Sequence, residues 1–276
     1  MKATVKRVGL AVLMAVFLVS VGMMVRQRLL YQQIEADSVE AAQIAGLTDG
    51  ARVSQAPSPS HQASSDQGEP LPEEAASLAA IDLTALRSVN EDVVGWIAIP
   101  GTQLSYPLVQ GMDNRYYLSR SWKREASAGG AVFLESTNSR DLTDFHTIVY
   151  AHQMRNDSMF GILSQYRDAE FFRAHPSIYL AFDGGVYRYD VFSAQKAGVK
   201  SIVYRLDLEE SQREEEFIQY CVDNSAVDTG VIPEAGERIL TLSTCVGSDR
   251  ANRWVVHAVL QDAWTQTVPS PGGSPE

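Results

Sequence analysis

Hydrophobic and polar positions divide this chain into three regimes. The first is a block: Val8 to Val25 carries no charge, with Lys2, Lys6 and Arg7 before it and Arg26 and Arg28 after it. As a helix this run spans roughly 27 Å, close to the ~30 Å hydrocarbon thickness of a bilayer, and it predicts an N-terminal membrane anchor over residues 1–30. A cleaved signal peptide has the same basic-then-apolar order, but its apolar core is shorter and ends at a small-residue cleavage site. Here Arg26, Arg28 and a polar stretch follow instead. Basic residues flank both ends, and the positive-inside rule favours a short cytoplasmic N-terminus with everything after Arg28 outside.

The second regime has no period. From Gln32 to Ser77 the chain is rich in Ala, Ser, Gln, Pro and Glu and contains no aromatic residue. Such a segment buries too little apolar surface to offset its ordering entropy. A flexible stalk is therefore expected over 31–78, with a helical stretch near Ser38 to Leu47. The C-terminal residues 265–276 read as a disordered tail.

The third regime, 79–264, is patterned throughout. A helix is expected around Ile81 to Val89. Short runs with β-branched or aromatic enrichment follow at Gly95 to Ile99, Ala131 to Leu134, Thr147 to Ala151, Ser177 to Phe182, Val186 to Ser193, Arg238 to Ser243 and Trp254 to Leu260. Seven or more short strands predict a mainly β fold with accessory helices, built as a closed or nearly closed barrel. Two helices interrupt the strands, one from Ser158 to Tyr166 continuing towards Phe171, the other acidic, LEESQREEEFIQYCVDN. In the second, Phe217, Tyr220 and Cys221 fall at i, i+3 and i+4, which places Cys221 on an apolar face as a packing residue.

Charge narrows the function classes. A formal charge of -11, without clustered Lys and Arg, excludes the electrostatic footprint of a nucleic-acid partner. The sequence has neither metal-ligand spacing of the C-x-x-C or H-E-x-x-H kind nor a phosphate-binding glycine loop. No metal site and no cofactor are implied.

The two cysteines, Cys221 and Cys245, are too few for the disulfide framework of an exported domain, so free thiols are expected. Cys245 ends the run RILTLSTC, in which Leu240 and Leu242 alternate with Thr241 and Ser243, and a Gly247 turn follows. A thiol at a strand end is accessible in a way that a mid-strand thiol is not. Strand-end cysteines without a chemical role are also common.

A nucleophilic thiol needs a base or cationic partner. Among the five histidines, His61 lies in the stalk region, His175 precedes a proline, His146 leads into a strand and His257 lies within one. His152 closes the run TIVYAH before the chain turns through QMRNDSMF, a position at a barrel rim; a plain turn histidine would look the same. Acyl transfer also needs a donor for the developing oxyanion. Arg253 opens the strand RWVVHAVL after the Cys245 loop, and its planar fork suits that task. Arg250 in the same loop competes on composition alone, and an arginine snorkelling at a strand start is the structural alternative.

The strand-end TLSTC, the arginine eight positions later and the following VV-containing strand resemble the sortase signature. NEDVVGWIAIPGTQLSYPLVQGMDNRYYL at 90–118, GGAVFLE at 129–135, TIVYAHQMRNDSMFGILSQY at 147–166 and FFRAHPSIYL at 171–180 resemble class B sortases in particular. The resemblance covers roughly residues 80–262. It departs at Ala151 and Gln153, where class B members usually carry Gly and Asn.

The resemblance implies an eight-stranded sortase-type β-barrel over 79–264 and a cysteine transpeptidase. Its Cys-His-Arg site would consist of Cys245, His152 and Arg253, with Ser243 and Thr244 contacting the substrate. The implied partners are the C-terminal sorting-signal peptide of secreted surface proteins and an amine of a peptidoglycan precursor or a pilin lysine. The implied place is the cell membrane of a Gram-positive surface, crossed once, with the catalytic domain outside. A papain-like hydrolase and a non-enzymatic, membrane-tethered binding domain are the competing classes. The first lacks an Asn or Asp orienter motif, and the second would leave Cys245 unreactive.

Overall fold

The computed structural model describes residues 2–47, 71–208, 210–244 and 251–265. A first helix, α1 (Lys2–Ile44), runs unbroken through the apolar block and on into the region expected to be a stalk. From Gly9 to Leu29 every described side chain is exposed, and the helix is long and apolar enough to cross a membrane. Its last part differs: Ile34, Ala41, Ala42 and Ala45 are buried, spaced so that they share one helical face.

That face docks on the folded region. Trp122 donates its indole N–H to the Asp37 carbonyl at 3.1 Å, and the Lys123 ammonium sits 3.2 Å from Asp37 and 2.8 Å from Glu40. Residues 31–47 thus depart from the expected stalk. Ala, Gln and Glu are strong helix formers, and small alanines let a helix approach closely without any aromatic anchor. Two short helices follow, α2 (Glu73–Ala79) and α3 (Leu83–Val89). Asp82 caps α3 by accepting from the Ala85 N–H at 2.8 Å. The rest of the expected stalk, 48–70, lies outside the described residues, as does the tail from 266.

Eight strands close a barrel: β1 (Val93–Ala98), β2 (Ser105–Val109), β3 (Val132–Leu134), β4 (His146–Ala151), β5 (Ser177–Phe182), β6 (Gly185–Gly198), β7 (Ile239–Thr244) and β8 (Asn252–Thr265), in the order β1-β2-β3-β4-β7-β8-β6-β5. Seven correspond to the runs expected from the sequence. The eighth, β2, contains Pro107, paired with Trp96; a proline argues against a central strand, which hides it. Between β4 and β5 lie a 3-10 segment (Gly161–Arg167) and α4 (Ala169–Ala174), where one helix was expected. The acidic helix is α5 (Ser211–Asp223).

The strands read as continuously apolar because helices cover the barrel wall. In β1, Ile97 packs in the barrel interior while Trp96 and Ala98 pack outward under α1, α2 and α3. In β7, Leu240 and Leu242 point into the barrel, and alternation turns Thr241 and Ser243 to the other side. There α5 delivers Phe217, Ile218 and Cys221 against Val255 and Val259.

Behind β7 runs a chain of buried polar contacts with one consistent direction. His146 Nδ1 lies 2.7 Å from the Arg205 carbonyl, so this nitrogen is the donor. Its Nε2 then accepts from the Thr241 hydroxyl at 2.7 Å. Thr241 Oγ1 in turn accepts from His257 Nδ1 at 2.8 Å, and His257 Nε2 accepts from the Gln195 amide at 3.3 Å. Both imidazoles are satisfied in their neutral form.

Candidate active site

Strand directions bring the expected site positions to one rim. β4 and β7 are parallel neighbours in register from His146↔Ile239 to Ala151↔Thr244, so both end at the same edge of the barrel. β8 runs antiparallel to β7, with Ser243 opposite Val255, so it begins at that edge. His152 is the first residue after β4, and Arg253 is the second residue of β8. Cys245 follows Thr244 in the sequence, but it lies outside the described residues, as does Arg250.

The rim opens on a groove of about 400 Å³. Ser243, Thr244, Tyr204 and Arg253 line one part of it, and Leu118, Glu135 and others the rest. Ser243 and Thr244 form groove wall with engaged hydroxyls: Ser243 Oγ lies 3.0 Å from the Tyr204 hydroxyl, and Thr244 Oγ1 accepts from the Trp254 N–H at 2.9 Å. The second contact pins the start of β8 to the end of β7. Arg253 donates from Nη1 to the Asn252 carbonyl at 2.9 Å, which fixes the root of its guanidinium beside the groove.

His152 is half-buried, and its Nε2 lies 2.6 Å from the Leu118 carbonyl. A carbonyl only accepts, so Nε2 carries the proton and Nδ1 is left as the basic nitrogen. A backbone carbonyl in this role sets both the tautomer and the ring direction. Cys221, the other thiol, is fully buried on α5, and burial pushes its pKa well above the ordinary thiol value. It is held as a neutral packing group.

The family model for the sortase domain matches residues 97–261. The chain belongs to the sortase family. It is similar to sortase B of Staphylococcus aureus (strain NCTC 8325 / PS 47), 34% identical over 178 residues, which is 64% of this chain and 73% of that protein. Its fold is similar to that of a Staphylococcus aureus sortase B–substrate complex, with a TM-score of 0.63 and 31% identity over 69% of this chain and 87% of that one. It is equally similar to a sortase B structure complexed with triglycine, with a TM-score of 0.63 and 32% identity over 66% of this chain and 86% of the other. The chain is thus a sortase of the class B kind, a cysteine transpeptidase on a closed eight-stranded barrel.

Sequence reasoning missed the residues that fix the direction of the His152 ring. Gly130 has φ +63°, and a Cβ there would lie 2.6 Å from the Tyr117 carbonyl oxygen and 3.0 Å from His152 Cδ2. Its neighbour Gly129 serves a different contact, since a Cβ on it would meet Ile34 of α1 at 2.5 Å. The GGAVFLE stretch was visible as a family-like motif, but not what each glycine makes room for. Gly130→Ala is expected to displace the imidazole and lower kcat/KM by roughly 10²-fold. Gly129→Ala is expected to loosen α1 and spare turnover. Steady-state kinetics of both variants, with thermal melts to confirm folding, check this; equal losses would dissociate Gly130 from His152.

Proposed function

We propose that Cys245, His152 and Arg253 form the catalytic group of this sortase and that it works on the C-terminal sorting signal of exported proteins. One observation carries the reading. The ends of β4 and β7 and the start of β8 meet at one groove-bearing rim, while the only other thiol is buried and neutral. In this reading the Cys245 thiolate attacks the scissile carbonyl, and the Arg253 guanidinium balances the charge on the tetrahedral oxygen. The protonated His152 gives its proton to the leaving amine as the C–N bond breaks, leaving a thioester. An incoming amine then loses a proton to His152 as its nitrogen attacks the thioester carbonyl, and the Cys245 thiolate departs. Ser243 and Thr244 shape the groove wall beside the bound peptide.

The acceptor is an amine of a cell-wall precursor or a pilin lysine. The related structure complexed with triglycine supports a short glycyl amine. The exposed apolar length of α1 supports a single-pass anchor with the barrel on the outer face of a Gram-positive membrane, where both substrates arrive. The test is a product analysis of the full chain in detergent with a library of sorting-type pentapeptides, supplied with no amine, with triglycine, or with a lysine blocked at its α-amine. A triglycine amide is the expected main product. A lysine product would move the role to pilus assembly, and free acid as the only product in all three arms would sink the amine acceptor.

A further inference from the structure

Where α1 leaves its apolar stretch, a cavity of about 660 Å³ opens between the helix and the loop that follows His152. The helix contributes Met23, Arg26, Leu30 and Tyr31, and the loop contributes Gln153 and Arg155. Among the described residues no Asp or Glu lines it. In a chain with a formal charge of -11, two guanidinium groups around one cavity without a carboxylate run against the overall charge. Among the described residues neither Arg26 nor Arg155 has an ion-pair or hydrogen-bond partner for its side chain.

Depth supplies the second observation. Val25 is the last residue of the uncharged run and Arg26 the first charged residue after it, so the cavity begins at the level where hydrocarbon gives way to headgroups. From Met23 to Tyr31 the helix rises roughly 12 Å, enough to pass through a headgroup layer. Beyond Met23 the lining is mixed, with arginine and glutamine side chains interspersed among Leu29, Leu30 and Met154.

We propose that this cavity holds the phosphate of an anionic phospholipid headgroup from the leaflet that α1 enters. Arg26 and Arg155 grip the phosphate oxygens from two sides, and Met23, on the hydrocarbon side of Arg26, lies against the glycerol and upper acyl chain. Because Gln153 and Arg155 follow directly on His152, the bound lipid fixes the catalytic rim at the membrane surface. The proposal rests on the anchoring of α1 in the membrane described above.

The full chain is reconstituted into vesicles of phosphatidylcholine alone or with phosphatidylglycerol, extracted in mild detergent, and weighed intact by native mass spectrometry. One phosphatidylglycerol is expected to remain bound to the wild type, and Arg26→Gln or Arg155→Gln to lower its retention about fivefold or more. Arg28→Gln alters the same helix at the same depth outside the cavity, and should leave retention unchanged. Equal losses from Arg28→Gln and Arg155→Gln would reduce the effect to general surface charge and overturn the site. Inorganic phosphate, which has the charge without the chains, should not displace the lipid; displacement would overturn a lipid occupant. A chain that fails to enter phosphatidylcholine vesicles at all would overturn the anchor and the cavity proposal together, whereas entry without selective retention overturns the cavity alone.

Discussion

Cys245→Ala is expected to abolish both the covalent peptide adduct and turnover, while Cys221→Ala leaves both intact. The two thiols differ in their place along the chain. Cys221 sits on the α5 face beside Phe217 and Ile218 with no exposure. Burial raises its pKa, so at neutral pH it is a protonated thiol with no access to substrate. Its loss removes one small group from a covered layer and should cost about 1 kcal/mol. Cys245 follows the β7 end whose register partner, Ala151, immediately precedes His152, and a cationic neighbour favours the thiolate. Intact-mass analysis of each variant after incubation with a sorting-type peptide decides the matter. An adduct that survives Cys245→Ala and vanishes in Cys221→Ala would sink the assignment.

How much of this was legible in the sequence depended on whether the controlling contact was local. β5 could be placed to the residue because Ser177 to Phe182 carries its own pattern. β2 could not, because Pro107 argues against a strand, and what keeps it in the sheet is its antiparallel pairing with β1 along its whole length, with Leu108 and Val109 paired to Val132 and Phe133 on the other side. The docking of α1 was hidden for a similar reason. Its buried face is mostly alanine, and what stabilises it is Trp122 and Lys123, about eighty residues away along the chain. The places of His152 just after β4 and of Arg253 at the start of β8 were readable because strand ends are sequence features. The Leu118 carbonyl and Gly130 that orient His152 were not, since a backbone oxygen and a missing Cβ leave no compositional trace.

The buried histidines were seen only as strand residues, and their pairing leads to the second large effect, a loss of stability in mild acid. His146 and His257 come from different strands and meet through Thr241 of β7. Burial, with the Arg205 carbonyl and Asp144 opposing it, lowers the pKa of His146 to about 4. Burial and the neighbouring His146 lower that of His257 to about 3. In the unfolded chain both titrate near the usual ~6.5. Between that value and the folded ones, the unfolded state binds more protons, so stability falls as pH falls and is fully present only above pH ~6.5.

With two rings the slope should approach about 3 kcal/mol per pH unit, a large part of the ~5–15 kcal/mol that holds a typical domain together. The carboxylates with shifted pKa values do not produce this slope: Asp37, raised by burial, gains stability as pH falls and so opposes it. Asp92, raised by burial but carried net below its ordinary value by hydrogen bonds from Arg124 and Tyr117, loses its contribution only below pH ~4. Urea unfolding of the full chain in detergent at intervals from pH 7.5 to 5 measures the slope. His146→Gln keeps a polar group but cannot take up the proton, and is expected to halve the slope. A slope that His146→Gln leaves unchanged would place the acid lability elsewhere. Because Thr241 lies on the strand that leads to Cys245, peptide turnover should fail over the same pH range as the fold.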